Sequence, residues 1–193
     1  MTTTSAALPV RLIDGVPLPA AGTWQIDAGH TEVAFIGRHF LLTKIRGRFN
    51  ALEGAVVIAE DPADSSVSVT IDMASVDSGS VARDEHLRSA DHFDVERYPT
   101  ATYRSTAVHW VSTTGTVDGE LTVHGVTRPV TLRVELLGIT RDPWDNDKAV
   151  FSASAELNRE DFGLTWNLPL AAGGLLVSKD IRIEIEMEAV RSE

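Results

Sequence analysis

Hydrophobic residues recur at every second position over most of this chain. One face is set by Val33, Phe35, Gly37 and His39, and the same period returns at Val67, Val69 and Ile71, at Val117, Gly119, Leu121 and Val123, at Val130, Leu132, Val134 and Leu136, and at Ile181, Ile183, Ile185, Met187 and Ala189. Alternation of this kind marks strands with one buried face. It predicts strands over 101–110, 115–124, 128–141, 148–157 and 179–191 in addition to the segment that begins at Thr23. Within that segment Val33 and Phe35 are assigned inward, and Glu32 and Ala34 outward into water. Between Lys44 and Ala59 the series Ile45, Gly47, Phe49 changes phase at Asn50 and Ala51 before Leu52, Gly54, Val56 and Ile58, which predicts a bulge or bend in a long strand. Many such strands, with little helical patterning between them, predict an all-β fold: an extended antiparallel barrel whose interior can hold something apolar.

Two stretches depart from the pattern. Between Asp77 and Tyr98 the spacing of Val81, Glu85, Leu87 and Arg88 predicts a short helical insertion over 81–96, with a helix at 81–89 capped by Ser80 and a turn at 91–96 stopped by Pro99. Over residues 1–22 the breakers Pro9, Pro17, Pro19 and Gly22 predict an arm laid over the surface or a disordered leader, so the barrel domain is placed at 23–193. The run from Leu168 to Val177 contains Pro169 and two glycines and is read as a loop, not a membrane span.

The 193 residues fit one domain. A formal net charge of -11 repels phosphate backbones and anionic lipid surfaces, so neither nucleic acid nor a membrane surface is expected as the primary partner, and an apolar or cationic small partner is easier to accommodate. The lack of any stretch of about 18 uninterrupted apolar residues predicts no integral membrane segment. With no cysteine, the chain offers no thiolate nucleophile and no Cys-based zinc site. The first residues show no basic region followed by an apolar run, so a cytoplasmic location is expected. A homodimer is left open beside a monomer.

Six histidines offer no H-x-H, H-x-x-x-H or H-E-x-x-H spacing, and neither a metal nor another cofactor is expected. His86 and His92 are expected on different faces of one helix. No G-x-S-x-G elbow is present. Asp84 with Glu85 and Glu160 with Asp161 read as helix-start charges. Arg83-Asp84 and Arg159-Glu160-Asp161 read as structural ion pairs or loop anchors in preference to anion clamps. His39 alone among the histidines has an inward phase, either as a satisfied interior group or in contact with a ligand head.

Four motifs carry a resemblance: W-x-I-D-x-x-H-T-x-V-x-F at 24–35 with G-x-F at 47–49, R-D-E-H-L-R-S-A-D-H-F-D-V-E-R-Y-P at 83–99, G-E-L-T-V-H-G-V-T-R-P-V at 119–130, and R-E-D-F-G-L at 159–164. Together they resemble the YceI-like family over about residues 23–190. The resemblance implies a lipocalin-like antiparallel barrel around a long hydrophobic tunnel that binds an isoprenoid lipid, such as an isoprenoid quinone or a polyprenyl phosphate. It supplies no enzyme activity to transfer. Val33, Phe35, His39, Phe40, Phe49, Tyr103, Phe162 and Trp166 are the candidate ligand-lining residues, with ordinary core packing as the alternative for each aromatic. Two rival readings are an enzyme acting on an isoprenoid-like substrate inside the barrel, with His39 or His30 for acid/base work, and a stress-related structural or interaction protein.

Overall fold

A computed structural model describes residues 7–40, 42–171 and 174–192. Thirteen strands and one α-helix follow in the order β1 (Val10–Ile13), β2 (Val16–Pro19), β3 (Gly22–Ile26), β4 (Glu32–His39), β5 (Thr43–Phe49), β6 (Leu52–Ile58), β7 (Ser66–Asp72), β8 (Val76–Asp77), α1 (Val81–Arg88), β9 (Thr100–Val111), β10 (Thr114–Val123), β11 (Val126–Arg141), β12 (Asp147–Asn158) and β13 (Asp180–Arg191). Eight of them close an antiparallel ring in the order β3, β6, β7, β9, β10, β11, β12, β13 and back to β3. Closure removes the free strand edges that an open sheet of this length would expose.

At one end three walls continue past the ring. β3 and β4 run one after the other along β13, β6 and β5 follow beside them, and β7 and β8 complete the set. The joins fall at one level. In the first, a 3-10 turn at Ala28–His30 interrupts the strand. In the second, the expected bend at Asn50 and Ala51 is a full break, where both amides donate to Ser75 Oγ at 3.1 and 3.0 Å. The third is the 3-10 turn Met73–Ser75. The hydroxyl that closes the second join therefore comes from the third. On the far side β9 begins at Thr100, opposite the last residue of β7, and α1, the turns of 89–99 and residues of 159–171 and 174–178 supply the remaining cover. Arg88 fastens α1 to the wall, donating to the carbonyls of Ala74 and Val76 at 2.7 Å each.

The first six residues of the leader lie outside the described residues; beyond them a regular element stands where the breakers predicted none. Residues 10–19 form a hairpin across a two-residue Asp14-Gly15 turn, both residues at positive φ, and Leu18 is 5% exposed in a cluster with Trp24, Ile58, Leu136 and Phe151. Proline cannot donate to a ladder, yet an isolated two-stranded ribbon has an outer edge on which a missing N–H costs nothing. The hairpin closes the end of the barrel opposite α1. No helix among the described residues is long and apolar enough to cross a membrane.

Candidate functional site

An internal cavity of about 790 Å³ runs through the barrel. Its wall includes Ile181, Ile183, Ile185 and Met187 of β13, six residue steps or roughly 20 Å of strand. Leu18, Ile58 and Trp110 line it toward the hairpin, and Phe93, Phe162 and Trp166 toward the helix.

Of the eight residues singled out from the sequence, Val33, Phe35, His39, Phe49, Tyr103, Phe162 and Trp166 all face this cavity. Phe40 does not. It is 48% exposed and at positive φ, so the alternation of β4 ends there and the ring turns out of the barrel against His39, 4.0 Å between ring centres. The rings of Phe35 and Tyr103 lie across glycines of the neighbouring strands. A Cβ on Gly47 would collide with Phe35, and one on Gly119 would come within 2.5 Å of the Tyr103 ring. Tyr103 donates its hydroxyl to the carbonyl of Val117 at 2.9 Å, within reach of that of Val130 at 3.2 Å, and burial pushes its pKa up to about 12. Its polar end is thus spent on the wall and its ring is left for the cavity. Phe93, which the sequence did not single out, completes a trio with Phe35 and Phe49 at 6.2 and 5.8 Å.

Ala34 corrects the reading of its strand. It points outward as alternation requires, but is 0% exposed. It sits between Arg48 of β5 and Glu184 of β13. Over it runs an ionic network in which Arg46 bonds Glu32 and Glu184, the latter at 2.6 Å, while Arg48 meets Asp77 at 3.2 Å. The outer face here meets guanidinium groups and carboxylates, not water.

The helix end is polar in a way that single motifs did not disclose. His92 lies beyond the end of α1, and the chain turns back at Ser89, so its ring stands 4.7 Å from that of His86 where the sequence spacing placed the two on different faces. Trp166 packs on both, at 4.6 and 5.0 Å. Burial, followed by the fields of His86 and Arg159, lowers the His92 pKa to about 4. Arg159 starts a 3-10 turn at Arg159–Phe162 and is 7% exposed. Its Nε donates to the Ser178 carbonyl at 3.0 Å and its Nη1 to that of Leu164, which anchors the 159–178 segment as a loop anchor should. The expected ion pair is absent: Glu160 bonds Lys179 instead, at 2.8 Å, and no carboxylate among the described residues lies within 4.0 Å of Arg159. Burial lowers its pKa. Arg83 likewise has no carboxylate partner; it donates to Ser78 Oγ at 2.7 Å and to the Ser78 carbonyl at 2.8 Å, and Ser78 Oγ in turn donates to buried Asp84 at 2.6 Å. Adjacent residues in sequence here make contact only through that serine.

One side-chain group has metal-like proximity. Asp27, His30 and Glu188 bring ligand atoms within 4.8 Å of one another. Lys148, 8% exposed, places its Nζ 3.0 Å from Asp27 and 2.7 Å from Glu188, so a cation already stands between the carboxylates. Burial works against the Asp27 carboxylate, but hydrogen bonds from Lys148 and His30 outweigh it and hold its pKa below the usual carboxylate range. The D-x-x-H-T portion of the first motif therefore braces the join between β3 and β4. His30 is not on the cavity.

Known proteins share this architecture. The profile of the YceI-like domain matches residues 24–189. A UPF0312 protein of Pseudomonas paraeruginosa is 36% identical over 174 residues, 89% of this chain and 88% of its own length. Among solved structures, the Campylobacter jejuni YCEI protein superposes with a TM-score of 0.69 at 27% identity, covering 81% of this chain and 90% of that one. A polyisoprenoid binding domain from Saccharophagus degradans superposes with a TM-score of 0.64 at 17% identity over 88% of this chain and 98% of its own. A profile match across nearly the whole barrel, together with relatives at this level of identity, establishes that the chain belongs to the YceI-like family.

Proposed function

We propose that this protein binds one isoprenoid lipid, of the quinone or polyprenyl phosphate type, with its tail in the barrel. The observation that carries the reading is the cavity itself: a lining in which Val, Ile, Leu, Phe and Met side chains predominate, elongated along the strands and about 790 Å³ in volume, within the range of small-molecule sites. Burying a five-carbon unit contributes roughly 4 kcal/mol before association costs, at about 0.8 kcal/mol per methylene, so a few units suffice for firm retention. The superposition on a polyisoprenoid binding domain supports the same ligand class. We read the site as one for binding and not for catalysis. Among the described residues no aspartate or glutamate lines the cavity, so general acid/base work would fall to His39, His86, His92 and Tyr103.

Mass spectrometry tests the reading. Native spectra of gently purified protein should show a mass added stoichiometrically, and an organic extract should identify it as an isoprenoid. Protein that carries nothing, and that takes up neither a polyprenol nor an isoprenoid quinone when offered them, would overturn it.

A further inference from the structure

This chain carries 28 acidic and 17 basic residues, yet the charged residues on its cavity are Arg11, Arg38, Arg83 and Arg159, with no carboxylate among them. A net charge of -11 makes an all-cationic lining a departure from composition. The arginines are not equivalent. Arg11 has a carboxylate in contact, its Nη1 3.2 Å from Glu60 Oε2, although its buried Nε has no hydrogen-bond partner among the described residues. Arg159 is buried with no carboxylate within 4.0 Å, and its Nη2 has no hydrogen-bond partner, among the described residues. A buried guanidinium with an open donor is costly to maintain unless something else satisfies it. Arg83, one turn of α1 from His86, lines the same end and also lacks a carboxylate. Trp166 and the two histidines border it with rings.

We infer that the helix end of the cavity is an oxyanion site, and that the lipid lies in the barrel with a terminal phosphate or carboxylate on Arg159 Nη2 and Arg83 and its tail toward the hairpin. This rests on the tail-binding reading above and adds two things to it: the sign of the head group and the direction of the lipid. A neutral quinone head would leave a buried positive charge uncompensated, whereas an oxyanion removes that charge and fills the open donor with a charge-assisted hydrogen bond.

The test compares head groups on one tail. Protein stripped of lipid is titrated with geranylgeranyl monophosphate and with geranylgeraniol, each displacing a fluorescent polyene, and with inorganic phosphate alone. The monophosphate should bind about tenfold or more tightly than the alcohol, the worth of one charge-assisted hydrogen bond. Inorganic phosphate at millimolar concentration should not displace the polyene. In Arg159→Met the ratio of the two prenyl affinities should fall toward one, and in Arg83→Gln it should fall part of the way. Equal affinity of phosphate and alcohol in the unaltered protein overturns the inference even if Arg159→Met fails to fold, as does a ratio unchanged by Arg83→Gln and Arg159→Met. Displacement by inorganic phosphate alone would assign the site to the free ion and overturn it too. If neither prenyl compound binds, it is the tail reading that fails.

Discussion

Each end of this barrel presents an arginine to the cavity, and the two are treated differently. At the hairpin end Arg11 is held by Glu60 and by the carbonyls of Ala59 and Glu60 at 2.5 and 2.7 Å, while around it Trp24, Ile58, Leu136 and Phe151 form a closed apolar cluster. At the helix end Arg159 is deeper, has no carboxylate within 4.0 Å among the described residues, and stands close enough to the buried His92 imidazole for its charge to lower that pKa. Each arginine leaves one buried nitrogen without a partner among the described residues, Arg11 Nε and Arg159 Nη2, but only the first has a carboxylate in contact. On the inference above, that contrast separates the end that seals the barrel from the end that reads what is inside it.

The contrast can be broken most directly with two tryptophans. Trp24 is 0% exposed and donates its indole N–H to the Ala20 carbonyl at 3.1 Å, so Trp24→Ala should cost about 3–5 kcal/mol in urea unfolding. Trp166 is half-buried against imidazoles, and Trp166→Ala should cost about 1 kcal/mol while changing ligand content. Equal losses of stability would show that both ends are structural core.

Between the ends, neighbouring residues on β4 ask whether wall and cavity are separable. Phe35→Arg puts a charge into the apolar lining and should abolish lipid retention, or the fold, at a cost of several kcal/mol. Ala34→Arg forces a long side chain under the Arg46 and Arg48 network and should cost about 1–3 kcal/mol by overpacking with lipid still bound, which extraction and mass spectrometry would read. Loss of lipid from Ala34→Arg alone would reverse the assignment of faces.

Truncation to Gly22 sharpens the sealing role. Removing Leu18 uncovers Trp24 and Ile58, and the loss of about 1.5–3 kcal/mol should lower the thermal midpoint by roughly 5–10 °C in a chain of this size. An unchanged midpoint would return the hairpin to the status of a dispensable arm. The smallest effect concerns pH. His92 has a folded pKa of about 4, below its ordinary 6.5, so the folded state resists a proton that the unfolded chain accepts. Its neutral burial is compatible with full stability above pH 6.5, and stability should decline as pH falls from there toward 4. His92→Phe should flatten that part of the stability profile; an identical slope in the variant would place the titration elsewhere, with His86, Asp91 and Arg159 the charged neighbours to examine next.

Much of the wall could be read from the chain because alternation reports a face directly. Val33, Phe35 and Ile181 to Met187 follow their phase into the cavity. Alternation does not report what covers the other face, which is why Ala34 was expected in water and lies under arginines brought from β5. Phase also fails where φ changes sign, as at Phe40. The hairpin had a local signal, Asp14-Gly15 between two short apolar runs, which the prolines around it obscured. The oxyanion end had one local signal, the anion-clamp reading of Arg83 and Arg159 that ranked behind ion pairing; with His92 these arginines come from three segments that meet only through the fold, and adjacency to Glu160 and Asp161 suggested a partner that the 3-10 turn directs elsewhere.

The walls of the barrel are built from two kinds of bond, and this has a kinetic consequence. Around the ring, opening a passage means parting a ladder of backbone hydrogen bonds that break together. Where α1, 89–99, 159–171 and 174–178 replace strands, the wall is held by side chains such as Arg88, Leu87 and Trp166 and by scattered backbone bonds such as Phe40 N–H to the Leu176 carbonyl, with no continuous ladder. Cargo should therefore exchange past the helix in preference to the ring, with a residence time set by local opening of that cover while the barrel stays folded. Amide hydrogen exchange should rank the segments the same way, with 81–99, 159–171 and 174–178 opening well before β9 to β13.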